Sequence, residues 1–245
     1  MLIETAAYAS RWRPVAPTAK ALFALCGIGA AWIAHRPPML AALACLLAVS
    51  ALLLARVPLR TYLALAMAPI GFLLLSCVAM LAAVDASGNW GWHGASPELV
   101  ARTALRSLTV LAALLGLVLT TPMPDLIHLL RRVRTPELLL DLMVLCYRML
   151  FVLRQAWDDG VQAQRARLGY RGFAHAWRSM GLLAGQMAVQ VWQRASALQM
   201  AADARGCSGA LRFLPAVFPQ ARAQTMRAAF AGLLLLALAT GDRLW

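Results

Sequence analysis

Five apolar runs dominate the hydrophobic pattern of the chain. Four lie in the first half and the fifth closes the sequence; they cover about residues 21–34, 39–55, 62–84, 105–120 and 228–240. The first four are each near the length of about 20 residues that crosses the roughly 30 Å hydrocarbon core of a bilayer. The first run is short but extendable, and the last spans only if its flanks lie at the interfaces. The pattern predicts an all-α, polytopic membrane protein with about five transmembrane helices.

The stretch between the fourth and fifth runs predicts two long helices instead. Thr135 is the expected N-cap of the first, Pro136 its first-turn proline and Glu137 its first-turn acid. The second covers about residues 177–205 and is amphipathic, because its apolar and polar residues recur at helical spacing on different faces. The apolar set is Met180, Leu183, Met187, Val191, Leu198 and Ala202, and the polar set is Gln186, Gln190, Gln193 and Arg194.

The first of these two helices is apolar enough to be weighed as a further span. Between Leu138 and Leu153, the Leu, Val and Phe residues favour insertion by roughly 3 to 5 kcal/mol in total. Asp141 and Arg148 each cost about 2.5 to 3.5 kcal/mol near the centre of a bilayer. Insertion therefore breaks even or loses, and we expect this helix to lie against the cytoplasmic ends of the spans.

Charge indicates the orientation. The chain carries 23 basic and 10 acidic residues, and its hydrophobic fraction of 62% exceeds the roughly 45–50% of soluble domains. The basic residues concentrate before the first run, in the turn with Arg56 and Arg60, and over residues 131–227, whereas residues 85–97 contain none. Because short cytoplasmic loops retain Lys and Arg, we expect a bacterial inner-membrane protein with its N-terminus and long helices in the cytoplasm.

Three regions follow from this pattern. Residues 1–120 hold the first four transmembrane helices, residues 121–227 form the cytoplasmic region with the long helices, and residues 228–245 contain the last transmembrane helix. The positive charge requires an acidic partner surface or anionic lipid. Nucleic acid is not an expected partner, because nucleic-acid modules are soluble and present basic residues on a groove-reading or aromatic surface.

Both long helices end in the same small pattern, Ala-Arg followed within two residues by glycine. A last-turn arginine is favoured by the helix dipole, a following glycine can adopt the left-handed conformation, and the alanine lets another surface approach closely. Such an end is commonly only a C-cap. Its repetition, with a guanidinium suited to a carboxylate in an interface, predicts two docking points for two copies of one partner. The candidate residues are Ala166, Arg167, Leu168, Ala204, Arg205 and Gly206.

The region around these helix ends resembles the signature region of the transmembrane (T) components of energy-coupling-factor (ECF) transporters, and most closely the cobalt-type CbiQ family. The likeness rests on residues 164–172 and 201–209 and extends over about residues 121–209. The first four spans resemble the family only by hydropathy. The family signature is two Ala-Arg-Gly motifs; the second is intact here, whereas Leu168 replaces the glycine of the first.

The resemblance implies a subunit that couples ATP hydrolysis to cobalt uptake. In that family the two arginine motifs on the coupling helices bind two ATP-binding-cassette (ABC) ATPase subunits, and a separate substrate-binding membrane (S) subunit holds the metal. By position, Arg167 and Arg205 would each pair with acidic groups of one ATPase, beside Ala166 and Ala204. The expected partners are two ATPases, an S subunit and the lipid bilayer.

Two alternatives stay open. A T component for nickel, biotin or another vitamin would carry the same motifs, because this subunit need not touch the substrate. A membrane-embedded enzyme is the alternative from another class. Against it, the four histidines fall in separate segments, and the sequence contains no HExxH, no GxSxG and no GxxxxGK[ST] phosphate loop. We therefore expect a non-catalytic transporter subunit with no cofactor and no metal site of its own.

Overall fold

A computed structural model describes residues 2–84, 90–91, 96–206, 218 and 220–244. Within them the helices are α1 (Leu2–Ala9), α2 (Pro17–Ile33), α3 (Pro37–Val49) continued by a π-helical turn (Ser50–Leu54), α4 (Leu59–Leu81), α5 (Pro97–Thr120), α6 (Met123–Arg132), α7 (Glu137–Ala166), α8 (Phe173–Ala204) and α9 (Ala221–Leu244). The short strands β1 (Ala83–Val84) and β2 (Trp90–Gly91) pair antiparallel. Residues 85–89 and 92–95 of the predicted outer loop lie outside the described residues.

The five predicted apolar runs coincide with five helices. Four stretches are long and apolar enough to cross a membrane, and α2 is a shorter apolar helix of 17 residues. The four are Pro37–Leu54, Leu59–Leu81, Pro97–Thr120 and Ala221–Asp242. The prediction of an all-α, polytopic membrane protein is confirmed, and the closing run, which was the shortest in sequence, belongs to a helix of spanning length.

The chain forms two compact units. One comprises Met1–Leu129 together with Ala216–Trp245, and the other comprises Leu130–Pro215. The first unit therefore gathers all five apolar helices, although the second unit lies between α9 and the others in sequence. The second unit contains α7 and α8.

Helix α9 runs parallel to α2 and is hydrogen-bonded to the residues that flank both ends of α2. Near its start, Gln224 Oε1 accepts a hydrogen bond of 2.7 Å from the N–H of Ala16. Near its end, Asp242 Oδ2 accepts 3.0 Å hydrogen bonds from the N–H groups of His35 and Arg36. Between them, a Cβ on Gly232 would come within 2.6 Å of the Cys26 sulfur. Close approach of two membrane helices requires such a small residue.

Helices α2 and α5 run antiparallel, and each caps the C-terminal end of the other. Lys20 Nζ donates a 2.7 Å hydrogen bond to the carbonyl of Thr120, the last residue of α5. Arg106 Nε and Nη2 donate to the carbonyls of Ala31 and Ala34 at the end of α2, at 3.0 and 3.3 Å. The last carbonyls of a helix have no partner inside it and carry the negative end of its dipole. Both cations therefore satisfy acceptors that an apolar bundle would otherwise leave unpaired.

Small and branched apolar side chains fill the space between these helices in two clusters. One is formed by Ala30, Ala34, Leu40, Leu43, Leu47, Ala112, Ala113, Leu235 and Ala239, and the other by Ala6, Ala51, Ala55, Val57, Tyr62 and Leu119. The first cluster joins α2, α3, α5 and α9, and the second joins α1 and α4 to α5. Helix α4 contributes little more, since side chains such as Phe72 (75% exposed) point away from the core.

The turn between α6 and α7 corrects one prediction. Helix α7 begins at Glu137, and Pro136 occupies its N-cap position without a side-chain cap. The hydroxyl of Thr135 donates instead to the carbonyl of Leu130 at 2.8 Å. The predicted N-cap role of Thr135 was therefore wrong: with only four residues between the helices, its hydroxyl reaches the unpaired carbonyls at the end of α6.

Candidate partner-docking site

The two arginine-tipped helix ends have the same backbone geometry. Helices α7 and α8 each end one residue before the arginine, and φ and ψ are −92° and 14° at Arg167 and −93° and 5° at Arg205. The next residue is left-handed in both, with φ of 58° at Leu168 and 62° at Gly206. The repeated sequence pattern therefore corresponds to a repeated shape, in which Leu168 takes the place of the motif glycine without changing the turn.

The end of α7 is a complete Schellman cap. The N–H of Gly169 donates to the carbonyl of Gln164 at 2.9 Å, and the N–H of Leu168 donates to that of Arg165 at 3.0 Å, which is the hydrogen-bond pair that defines this motif. The second of these bonds recurs at the end of α8, where the N–H of Gly206 is the donor at 3.0 Å. Both helices thus stop immediately before the arginine, which is the C-cap residue at the tip.

Exchanging the two left-handed residues should change stability in opposite directions. Leu168 is 65% exposed, so little packing offsets a left-handed conformation that costs a non-glycine residue about 1 kcal/mol. We expect Leu168→Gly to raise the free energy of unfolding by about 1 kcal/mol and Gly206→Leu to lower it by a similar amount. Unfolding of the purified protein by sodium dodecyl sulfate in mixed micelles, followed by circular dichroism, measures both. Identical curves for native chain and variants would contradict this account.

All six predicted docking residues are exposed, and they form two separate sites, one at the end of α7 and one at the end of α8. Ser179 Oγ, near the start of α8, donates a 3.0 Å hydrogen bond to the carbonyl of Gly169, which fixes this part of α8 beside the tip of α7. The remainder of α8, from Ser179 to Arg205, is about 40 Å long at about 1.5 Å per residue. Arg167 and Arg205 therefore lie at opposite ends of one continuous helix.

Helices α7 and α8 pack together near the turn that joins them. Leu183, which is 1% exposed, lies against Gly160 so closely that a Cβ at this glycine would overlap its side chain. Ser179 is also buried. Residues 191–201 of α8, in contrast, are exposed throughout. The far half of α8 is therefore available for contact along its length.

A polar groove of about 540 Å³ separates the two helices beyond this contact. It is lined by Val152, Gln155, Ala156, Asp159, Gly160, Ala163, Gln164 and Arg167 of α7 and by Gln186, Gln190 and Arg194 of α8. Most of the predicted polar face of α8 therefore lines a groove shared with α7. Of the predicted apolar face only Leu183 is buried; Val191 and Leu198 are exposed.

The α7 side of this groove was missed by sequence reasoning. Ala156, Gly160, Ala163 and Arg167 follow one another at spacings of four, three and four residues, which places them on one face of a helix. A stripe of small residues that leads to the candidate arginine was the signal that could have revealed it. Among the residues that the structure describes, no three His, Cys, Asp or Glu side chains come together as metal ligands.

Comparison with known proteins places the chain in a family. The family model described as "Cobalt transport protein", CbiQ, matches residues 9–214, a range that includes both arginine tips. The cobalt transport protein CbiQ of Rhodobacter capsulatus is 33% identical over 225 residues, which cover 89% of this chain and 90% of that protein. Its namesake from Salmonella typhimurium is 32% identical over 215 residues, which cover 78% of this chain and 90% of that protein.

A third relative matches over a shorter range. An uncharacterized protein of Methanocaldococcus jannaschii is 30% identical over 112 residues, which are 46% of this chain and 42% of that protein. The chain thus spans less than half the length of this archaeal relative but nine tenths of the two bacterial ones. Because the family model and the bacterial relatives match over most of its length, the chain belongs to the CbiQ family of cobalt transport proteins.

Proposed function

We propose that this chain is the transmembrane coupling (T) subunit of an ECF transporter for cobalt uptake, linking ATP hydrolysis in cytosolic ABC ATPases to a separate substrate-binding membrane (S) subunit. One observation carries the proposal: two exposed arginines, Arg167 and Arg205, end two helices with the same backbone geometry. Membership of a family of cobalt transport proteins supports cobalt as the substrate.

The distance between the tips supports two partners. Each guanidinium can form one bidentate pair with a carboxylate, and the exposed Ala166 and Ala204 leave room for a close surface beside each arginine. Two equivalent tips about 40 Å apart along α8 match two copies of one acidic partner better than a single small one. In this proposal each tip docks in one of two ATPase subunits.

The exposed length of α8 suggests how motion reaches the substrate-binding subunit. A continuous helix moves as one body, so closure of the two ATPases on ATP binding would displace it as a whole. Beyond the buried Leu183, its apolar face, which includes Val191 (45% exposed) and Leu198 (37%), is left uncovered by the described residues. We assign this face to the S subunit. The chain itself would then hydrolyse nothing, in agreement with relatives that are named as transport proteins.

The directions of the spans support the proposed orientation. Helices α2 and α9 run in one direction and α5 in the other, as expected for the first, fifth and fourth of five alternating spans. With the arginine-rich segments retained inside, the N-terminus and both tips lie in the cytoplasm of a bacterial cell and the C-terminus lies outside the inner membrane.

Purification of the complex tests this proposal. An affinity-tagged chain, extracted from its native membrane in mild detergent, should bring down two ABC ATPase subunits and one further membrane protein. Cells that lack the chain should lose uptake of radioactive cobalt. If nickel uptake is lost in place of cobalt uptake, the chain serves another substrate. If the chain purifies without an ATPase and still moves cobalt after reconstitution alone, it is not a coupling subunit.

A further inference from the structure

The last turn of α6 and the turn that follows it are strongly basic, and the first half of α7 exposes large apolar side chains. Arg132 and Arg134 are exposed and Arg131 is half-buried; these three residues form what we call the basic turn. The leucine face of α7 that follows it consists of Leu138 (83% exposed), Leu139 (47%), Leu142 (55%), Leu145 (39%) and Leu150 (62%). Val133, which lies between Arg132 and Arg134 in sequence, is 72% exposed.

The leucine face forms a continuous stripe. Leu138, Leu142 and Leu145 recur after four and three residues, the spacing that aligns side chains on one side of a helix. Contiguous exposed apolar surface of this kind marks a site of contact with a protein or a membrane. Glu137 is the only acidic residue between Arg131 and Leu139, so three guanidiniums oppose one carboxylate at the start of the stripe.

A bilayer surface accounts for both features at once. An acidic protein would account for the basic turn, and an apolar protein surface would account for the leucine face, whereas anionic lipid offers phosphate beside hydrocarbon. Helices that lie in the membrane interface have this composition, with arginines at headgroup level and leucines in the acyl region. In sequence, only the ten residues 121–130 separate the basic turn from α5, a helix of membrane-spanning length.

We propose that the basic turn and the leucine face of α7 bind anionic phospholipid, with a headgroup phosphate on the guanidiniums of Arg132 and Arg134 and acyl chains along Leu138 and Leu142. The charge of the headgroup gives selectivity and the leucines give contact area. This surface is distinct from the arginine tips, and its function does not depend on the identity of the docking partner.

Native mass spectrometry of the full-length protein, purified in neutral detergent and titrated with single lipids, tests the proposal. We expect dioleoylphosphatidylglycerol to bind at least tenfold more tightly than dioleoylphosphatidylcholine. Arg132→Gln combined with Arg134→Asn should weaken phosphatidylglycerol binding about 25-fold, which is about fivefold for each arginine near an anionic surface, and leave phosphatidylcholine binding unchanged. Leu138→Gln combined with Leu142→Gln should weaken binding of both lipids.

The matched control is Arg171→Gln combined with Arg178→Gln, since both arginines are exposed in the same unit; it should bind both lipids as the native chain does. If the double basic-turn variant loses helix in circular dichroism, Arg132→Gln alone should still show the fivefold loss. Equal affinity for the two lipids, an equal loss in the control, displacement of phosphatidylglycerol by inorganic phosphate at the same concentration, or native lipid binding by the leucine variant would each overturn the proposal.

Discussion

Changing Arg205 to glutamate is expected to lower cobalt uptake at least about 30-fold while leaving the protein in the membrane at its native level. The side chain is exposed beyond the last turn of α8, so its loss costs the fold little. Docking loses a bidentate donor and gains a carboxylate that faces acidic groups, and disruption of such a pair costs about 2 to 5 kcal/mol. Arg167→Glu should have the same effect at the other tip. Uptake of radioactive cobalt by cells, with immunoblots of their membranes, measures both quantities.

Arg148 provides the matched control. It is exposed in the middle of α7, about 28 Å along the helix from Arg167 at about 1.5 Å per residue, so Arg148→Glu makes the same change of charge without touching a tip and should retain uptake. Arg205→Lys keeps the charge but loses the planar fork, and should transport at an intermediate rate. If cells with Arg167→Glu and cells with Arg205→Glu both take up cobalt at the native rate, the docking hypothesis is wrong.

Replacement of Lys20 by methionine is expected to destabilise the bundle of apolar helices by about 2 kcal/mol. The side chain is 4% exposed, and its ammonium group is a hydrogen-bond donor to the terminal carbonyl of α5. Methionine preserves most of the volume but leaves that buried carbonyl without this donor and removes a cation from the negative end of the helix dipole. Arg106→Met removes two hydrogen bonds at the end of α2 and should cost at least as much.

Titration with sodium dodecyl sulfate in mixed micelles, followed by helical circular dichroism, reports the loss as a shift of the unfolding midpoint. Arg60→Met is the control, because Arg60 is an exposed basic residue in the first turn of α4. Its midpoint should match that of the native protein. If Lys20→Met unfolds at the native midpoint, the hydrogen bond from Lys20 to Thr120 makes no net contribution to the free energy of unfolding.

The parts of the molecule that were predictable from sequence are those that local rules determine. A run of apolar residues long enough to cross a bilayer has few alternatives to a spanning helix, so the five runs located the five helices. The helix ends were equally local, since a glycine one or two residues after the arginine is typical of a left-handed C-terminal cap. Even the departure from the family motif at Leu168 left the turn intact, because the hydrogen bonds of a Schellman cap involve only the backbone.

What sequence could not reveal depends on partners distant in the chain. Nothing near Lys20 indicates that it meets residue 120, and nothing near Arg106 indicates that it meets residues 31 and 34. The same is true of Thr135, whose hydroxyl had two helix ends within reach and serves the earlier one. The polar face of α8 was predicted from the sequence. Its position in a groove with α7 depends on the close packing of Leu183 against Gly160.

The length of α2, one of the two helices joined by the reciprocal caps, bears on the thickness of the surrounding bilayer. Seventeen residues make α2 about 25 Å long, several ångströms less than an average hydrocarbon core of about 30 Å, whereas the 23 residues of α4 exceed it. Exposed side chains on α2, among them Leu25 and Trp32 at 65% each, give this short helix a lipid-facing side. The apolar helices therefore differ in length, and a bilayer crossed by a helix as short as α2 would thin beside it, whereas lipid beside α4 would not have to.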